Sequence, residues 1–359
     1  MSASTRPPAC PGTSLRNGTA PALALILSFT AVDATAHDFC VSTAAQLQNA
    51  LDAVSDGGAY VDEQSLIRIV QGTYLTGSAT SNGPFFSNAS TSTAQLTIYG
   101  GYSAGCSGDR HPASSTILDG HGANGVMILR RPNGKIAVTH LTFQNGHGDL
   151  GAGLQINHLA TVNAPVDIDS VIIRNNHATA DAGGLYASGA SASPYNSIYV
   201  ENVLIADNST DSDYGGAYLT GYGYSVHVGH STISRNTSPA GTTGGLYCGG
   251  NNTCGVYDTI AWNNTNVGLY MDTTNSLVCD DYGTSGGIPP GYESGNLSVP
   301  PQFVDAAGGD YHLGAASPLF GLCGGEPFGR DLDDHAYPGS GGTDVGAYED
   351  TIFVDGADG

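Results

Sequence analysis

Between residues 140 and 271 the chain repeats one phrase five times, at a period of about thirty residues. A glycine-led stretch reads Gly153-Leu154-Gln155-Ile156, then Gly184-Leu185-Tyr186-Ala187, Gly216-Ala217-Tyr218-Leu219, Gly245-Leu246-Tyr247-Cys248 and Gly268-Leu269-Tyr270-Met271. A second stretch closes on Gly146, Asn176, Asn208, Asn236 and Asn264, in steps of 30, 32, 28 and 28 residues. A unit this short cannot bury an apolar face alone. It must stack on its neighbours, so the repeat predicts a solenoid.

The period inside each unit is two, with no helical period. Leu185 and Ala187 flank Tyr186, so the apolar pair points one way and the ring the other. Ile136/Val138, Val166/Ile168, Ile198/Val200, Val226/Val228 and Cys254/Val256 form a second set of alternating pairs. Leu141/Phe143, Val171/Ile173 and Val203/Ile205 begin a third. Three short strands per turn, joined by Gly-, Ser- and Asp-rich loops, describe a coil of an all-β parallel β-helix. Equivalent residues then form ladders about 4.8 Å apart. The recurring Asn is expected at a bend, its amide satisfying backbone groups and tolerating αL geometry.

The GG-apolar strand plus the F-x-x-N element resembles the polymorphic outer-membrane-protein repeat and, more generally, pectin-lyase-like β-helices. That resemblance implies a right-handed coil. Pro301-Gln302-Phe303-Val304-Asp305, Gly329-Arg330-Asp331-Leu332-Asp333 and Asp344-Val345-Gly346-Ala347-Tyr348-Glu349 resemble the C-terminal region of choice-of-anchor β-helix proteins of bacterial surfaces.

Residues 1–36 read as a secretory leader. Arg6 and Arg16 precede the apolar run Ala22–Val32, and Ala34-Thr35-Ala36 is an A-x-A cleavage site. That run is too short to span a bilayer, and no other stretch is long enough, so no transmembrane segment is expected. Residues 37–135 are expected to hold the N-terminal cap and first coils, 136–274 the regular repeats and 275–359 a C-terminal coil and cap segment. Thr43-Ala44-Ala45-Gln46 reads as a capping box, with Leu47, Leu51 and Val54 on one face of a short helix that covers the open end of the rod. Cleavage after Ala36 leaves six cysteines, an even number that suggests disulfides in an exported chain. Six cysteines allow fifteen pairings. Joining neighbours along the chain gives Cys40–Cys106, Cys248–Cys254 and Cys279–Cys323. Zinc is the weaker reading, because there is no C-x-x-C pair.

The formal charge is −22, and −23 once Arg6, Arg16 and Asp33 leave with the leader. Phosphate contacts need clustered Lys and Arg, so a nucleic-acid partner is excluded. Self-repulsion keeps such a rod soluble, and a monomer is expected.

Three sets of residues could carry function. Tyr186, Tyr218, Tyr247 and Tyr270 share an outward column with Gln155, and a flat aromatic stripe would suit sugar rings. Cross-coil packing of the rings is the alternative. Asp149, Asp181 and Asp213 precede the glycine strands and are candidate calcium ligands. No other cofactor is indicated. In the second strand Asp167, Tyr199 and His227 align, as do Asp169 and Glu201. Adjacent carboxylates can raise one pKa, which makes Asp167, Asp169 and Glu201 candidate catalytic groups. Arg174 is the candidate basic partner.

Gly146-His147-Gly148 resembles the G-H-G of polygalacturonases, yet that family's other motifs are not placed in these repeats. Lyases acting on uronates need basic groups to stabilise developing charge, and the coils offer only Lys135, Arg174 and Arg235. The expectation is therefore a secreted or outer-surface protein that contacts a polysaccharide or cell-surface glycan without catalysis. The alternative is a polysaccharide-degrading enzyme, a hydrolase rather than a lyase.

Overall fold

The computed structural model describes residues 36–77, 83–108, 111–158, 164–190, 196–250, 253–324, 329–338 and 342–349. Residues 1–35, all but the last of the stretch read as a leader, lie outside them. Parallel strands stack into a β-solenoid of about seven turns. The alternating pairs meet in the expected register. Val166 lies opposite Ile136 and Ile198, and Leu185 opposite Leu154 and Ala217. Their inward side chains fill one continuous core in which Val138, Leu154, Ile168, Leu185 and Val200 are fully buried.

Two bends per coil are set by backbone in the left-handed region. The strands Ile136–Gln144, Val166–Arg174 and Asn196–Ala206 each turn at one such residue: His140 (φ 55), Ser170 (φ 52) and Asn202 (φ 54). These types tolerate αL better than the β-branched residues around them, which strongly disfavour it. The second bend falls at Asn175, Asp207, Arg235 and Asn263. The repeating Asn therefore sits one residue beyond the αL position, not on it. Its side chain stitches coils together. Asn208 Oδ1 accepts the Asn176 N–H at 3.1 Å, and Asn208 Nδ2 donates to the Ile173 carbonyl at 2.9 Å and to Asn236 Oδ1 at 3.0 Å.

A strand His37–Val41 precedes the helix Ala44–Ala53. Thr43 Oγ1 accepts the Gln46 N–H at 3.2 Å, while Gln46 Oε1 accepts from the Ser42 N–H at 2.8 Å, one residue earlier than the capping box requires. Leu47, Leu51 and Val54 are buried against the first coils as expected. Arg131, fully buried, closes this end by donating to the carbonyls of Val54 and Ala94, each at 2.8 Å. Burial lowers its pKa to about 10.

Winding continues past residue 274. Strands Asn275–Val278, Asp281–Tyr282, Ser285–Gly287 and Tyr292–Ser294 extend the same sheets. Asp280 and Asp281 therefore lie within the coils. The chain then turns back along the outer flank. Tyr311, Leu332, Ala347 and Tyr348 pack on Ile172 and Leu204, and Leu313, Leu319 and Val345 pack on Ile260.

The three disulfides are Cys40–Cys106, Cys248–Cys254 and Cys279–Cys323, the neighbour pairing. The last joins the flank segment to the coils. Among the described residues no helix is long and apolar enough to cross a membrane.

Candidate functional site

The outward residues of the second strand form two columns. One runs Thr97, Ala137, Asp167, Tyr199, His227, Gly255, and the other Tyr99, Thr139, Asp169, Glu201, Gly229, Tyr257. Ala137 and Thr139 are short where their neighbours are tall. The result is a depression of about 460 Å³ lined by Tyr99, His140, Asp167, Asp169, Tyr199 and Glu201. Tyr99 stacks on His140 (centroids 4.8 Å apart), and Tyr199, 38% exposed, stacks on His227 (4.9 Å). Two braced rings thus stand at the ends of a floor bearing three carboxylates.

Each carboxylate has its own partner. Asp167 pairs with Lys135 Nζ at 2.5 Å on the half-exposed margin. Asp169 accepts from Asn202 Nδ2 at 2.8 Å and from Ser170 Oγ at 3.3 Å. Burial raises the Asp169 pKa, and these hydrogen bonds together with the charge of His140 only partly offset it. Glu201 accepts from the Tyr257 hydroxyl. Tyr257 stands two coils away and crosses Gly229, where an added Cβ would come within 2.2 Å of the Tyr257 ring and 2.3 Å of Glu201 Oε2. Glycine is needed there for close approach.

The flank segment closes this margin. Tyr337 donates to Asn202 Oδ1 and lays its ring 4.9 Å from that of His230. His230 is buried, which lowers its pKa to about 4, and its Nε2 lies 3.5 Å from Asp258 Oδ2. Arg174 does not join the groove. It follows the Ser170 bend onto the flank and donates through Nε (3.1 Å) and Nη2 (3.0 Å) to Gln144 Oε1.

The tyrosine column forms in the expected register, Gln155–Tyr186–Tyr218–Tyr247–Tyr270. Its rings face one another rather than the solvent. Centroids are 5.3, 4.9 and 5.6 Å apart with interplanar angles of 18°, 14° and 12°. Tyr214 packs against Tyr218 and Tyr247 as well, at 4.6 and 4.8 Å. Inner ring faces are therefore taken up by neighbours, so the column offers edges and hydroxyls, not a flat stripe. The Tyr247 hydroxyl is held by Asp272.

Asp181 and Asp213 lie beside this ladder, and the Asp213 N–H donates to Asp181 Oδ1 at 3.2 Å. Asp149 accepts from Thr179 Oγ1 at 3.0 Å and borders a different pocket. Among the described residues these three do not gather at metal-binding distance. The one trio of potential ligands that does, Asp258, Cys279 and Cys323, contains a disulfide.

The repeat aligns the columns, but it does not place Tyr99, Asn202, Tyr257 and Tyr337 at the site. Gly229 was the available signal, because a glycine in an otherwise side-chain-bearing column marks a close approach.

No family model matches this chain, and comparison with curated proteins and with solved structures finds no match.

Proposed function

We propose that this is an extracellular β-helix protein that binds a neutral glycan in the groove between Tyr99 and Tyr199, without catalysis. The observation that carries the reading is the depression over Ala137 and Thr139, walled by two braced aromatic rings. Aromatic faces suit the apolar faces of sugar rings, and fixed carboxylates accept hydrogen bonds from sugar hydroxyls. Asp167, Asp169 and Glu201 against a single Lys135 disfavour a uronate chain, whose carboxylates they would repel. Three disulfides fit an oxidising compartment. The leader and the choice-of-anchor resemblance suit a secreted or surface location.

A second reading, glycoside hydrolysis, is favoured by one observation. Asp169 has a raised pKa beside Glu201 on the next coil, the asymmetry that an acid and its charged partner require.

A glycan array and a soluble-polysaccharide screen of residues 37–359 test both. Binding that is lost in Tyr199→Ala and in the groove-filling Ala137→Trp supports the proposal. Reducing ends that appear with the wild type and vanish with Asp169→Asn establish the hydrolase instead. Binding that survives both groove variants removes the groove from the reading.

A further inference from the structure

The eight-stranded second sheet carries another pocket, at the foot of the tyrosine ladder. There the outward column runs Phe86, Ile128, Gln155, Tyr186. The pocket has a volume of about 420 Å³, at the small end of the roughly 300–1,000 Å³ of ligand sites. It shares no lining residue with the groove.

Two polar side chains in it make no hydrogen bond or ion pair among the described residues. Arg68, Lys135, Arg235 and Arg330 pair with Asp38, Asp167, Asp207 and Asp334. Arg174 is held by Gln144, and Arg131 by backbone carbonyls. The Arg130 side chain alone makes neither a hydrogen bond nor an ion pair among the described residues. Its guanidinium rests 5.5 Å over the Phe86 ring, which leaves its N–H edges available. Exposed at the pocket with no carboxylate partner, the guanidinium can take a negative group.

The second is Gln155, only 8% exposed, which lines the pocket and makes no side-chain hydrogen bond among the described residues. Its amide atoms are not among the buried ones without a partner, so the amide opens to solvent at the pocket, where a ligand can reach it.

We infer that this pocket binds a small hydroxylated carboxylate of sugar-acid size. Arg130 takes the carboxylate, Gln155 donates to it or to a neighbouring hydroxyl, and Ile128 supplies an apolar floor. Asn124, His147 and Asp149 are the other polar side chains of the lining. Together they offer both donors and acceptors, which suits hydroxyl groups. A guanidinium matches a carboxylate in plane and charge, and Asp149 on the same rim disfavours a doubly charged phosphate. The site stands independently of the glycan reading of the groove.

Calorimetric titration of residues 37–359 with D-glucuronate, methyl β-D-glucoside, acetate and inorganic phosphate tests this. Glucuronate is expected to bind saturably and at least about tenfold more tightly than the other three. Arg130→Gln, at an exposed position, and Gln155→Leu should each weaken it by about tenfold or more. The groove variant Asp169→Asn should leave it unchanged. Equal binding of glucuronate and the glucoside, acetate or phosphate as the tighter ligand, no binding at all, or wild-type affinity in Arg130→Gln would each overturn the assignment.

Discussion

The Tyr337 hydroxyl donates to Asn202 Oδ1, and the same amide donates through Nδ2 to Asp169 Oδ1 at 2.8 Å. A side chain from the flank segment thereby fixes which way an amide points, and so which charge the groove carboxylate sees. Tyr337→Phe frees Asn202 to turn. The hydrogen bond that lowers the Asp169 pKa is then weakened, and that pKa is expected to rise further. A carboxyl NMR titration of Asp169 in the two proteins checks this, whether or not a glycan binds.

Asn208 is fully buried and bonded on both edges of its amide. Asn208→Ala strands the Asn176 N–H and the Ile173 carbonyl in the core. Each orphan costs about 1–3 kcal/mol, so the variant should lose about 3 kcal/mol or more in a urea titration. Asn208→Asp should do no better, because it keeps the acceptor but loses the donor and buries a charge.

Tyr218 touches three other rings, Tyr186, Tyr214 and Tyr247. Aromatic pairs contribute about 0.5–1.5 kcal/mol each beyond burial, so Tyr218→Ala should cost about 2–3 kcal/mol. Groove affinity for the glycan should not change. A large loss of glycan affinity in a folded Tyr218→Ala protein would return the ladder to a binding role.

Cys279–Cys323 closes a separation of 44 residues, against 6 for Cys248–Cys254. Loop-closure entropy puts them at about 4 and about 2 kcal/mol respectively. Replacing Cys279 and Cys323 by Ser should therefore cost more in denaturant, and it should expose the flank segment first. Limited proteolysis with cleavage sites mapped after residue 298 reads the second effect.

His312 bridges Asp333 (2.9 Å) and Asp310 (2.7 Å), with the Tyr348 ring 4.2 Å away. The hydrogen bond to Asp333, with smaller help from Asp310, raises its pKa to about 9 against the cost of burial. A histidine raised above its unfolded value of about 6.5 stabilises fully below that pH and loses its contribution as pH rises through about 9. Melting temperature should fall over this window in the wild type and less steeply in His312→Gln.

The coil was legible because period-two alternation and a fixed repeat leave little freedom. Shifting a strand by one residue would turn every core side chain outward, so the repeat fixes the register as well as the strands. The same logic placed Asp167, Asp169 and Glu201 on one face. It could not place Arg174, since the αL residue Ser170 redirects the strand between them. Nor could it orient the tyrosines, whose column is set by register but whose ring planes are set by packing.

One sign of the flank cover was present in the sequence. Val171-Ile172-Ile173 and Val203-Leu204-Ile205 are unbroken apolar runs where alternation would put a polar residue in the middle. Ile172 and Leu204 are buried under Tyr311 and Leu332. A strand buried on both faces reads as continuous apolar sequence.

The sequence by itself determined the solenoid, its register and its helical cap, because each follows from local pattern. Only the tertiary structure decided where the groove lies, that Tyr337 reaches Asn202 across 135 residues, and that the Arg130 and Gln155 side chains make no hydrogen bond among the described residues. Those outcomes depend on which side chains are short, which bends redirect a strand, and where the returning segment comes to rest. No period in the sequence encodes contacts between elements so far apart in the chain.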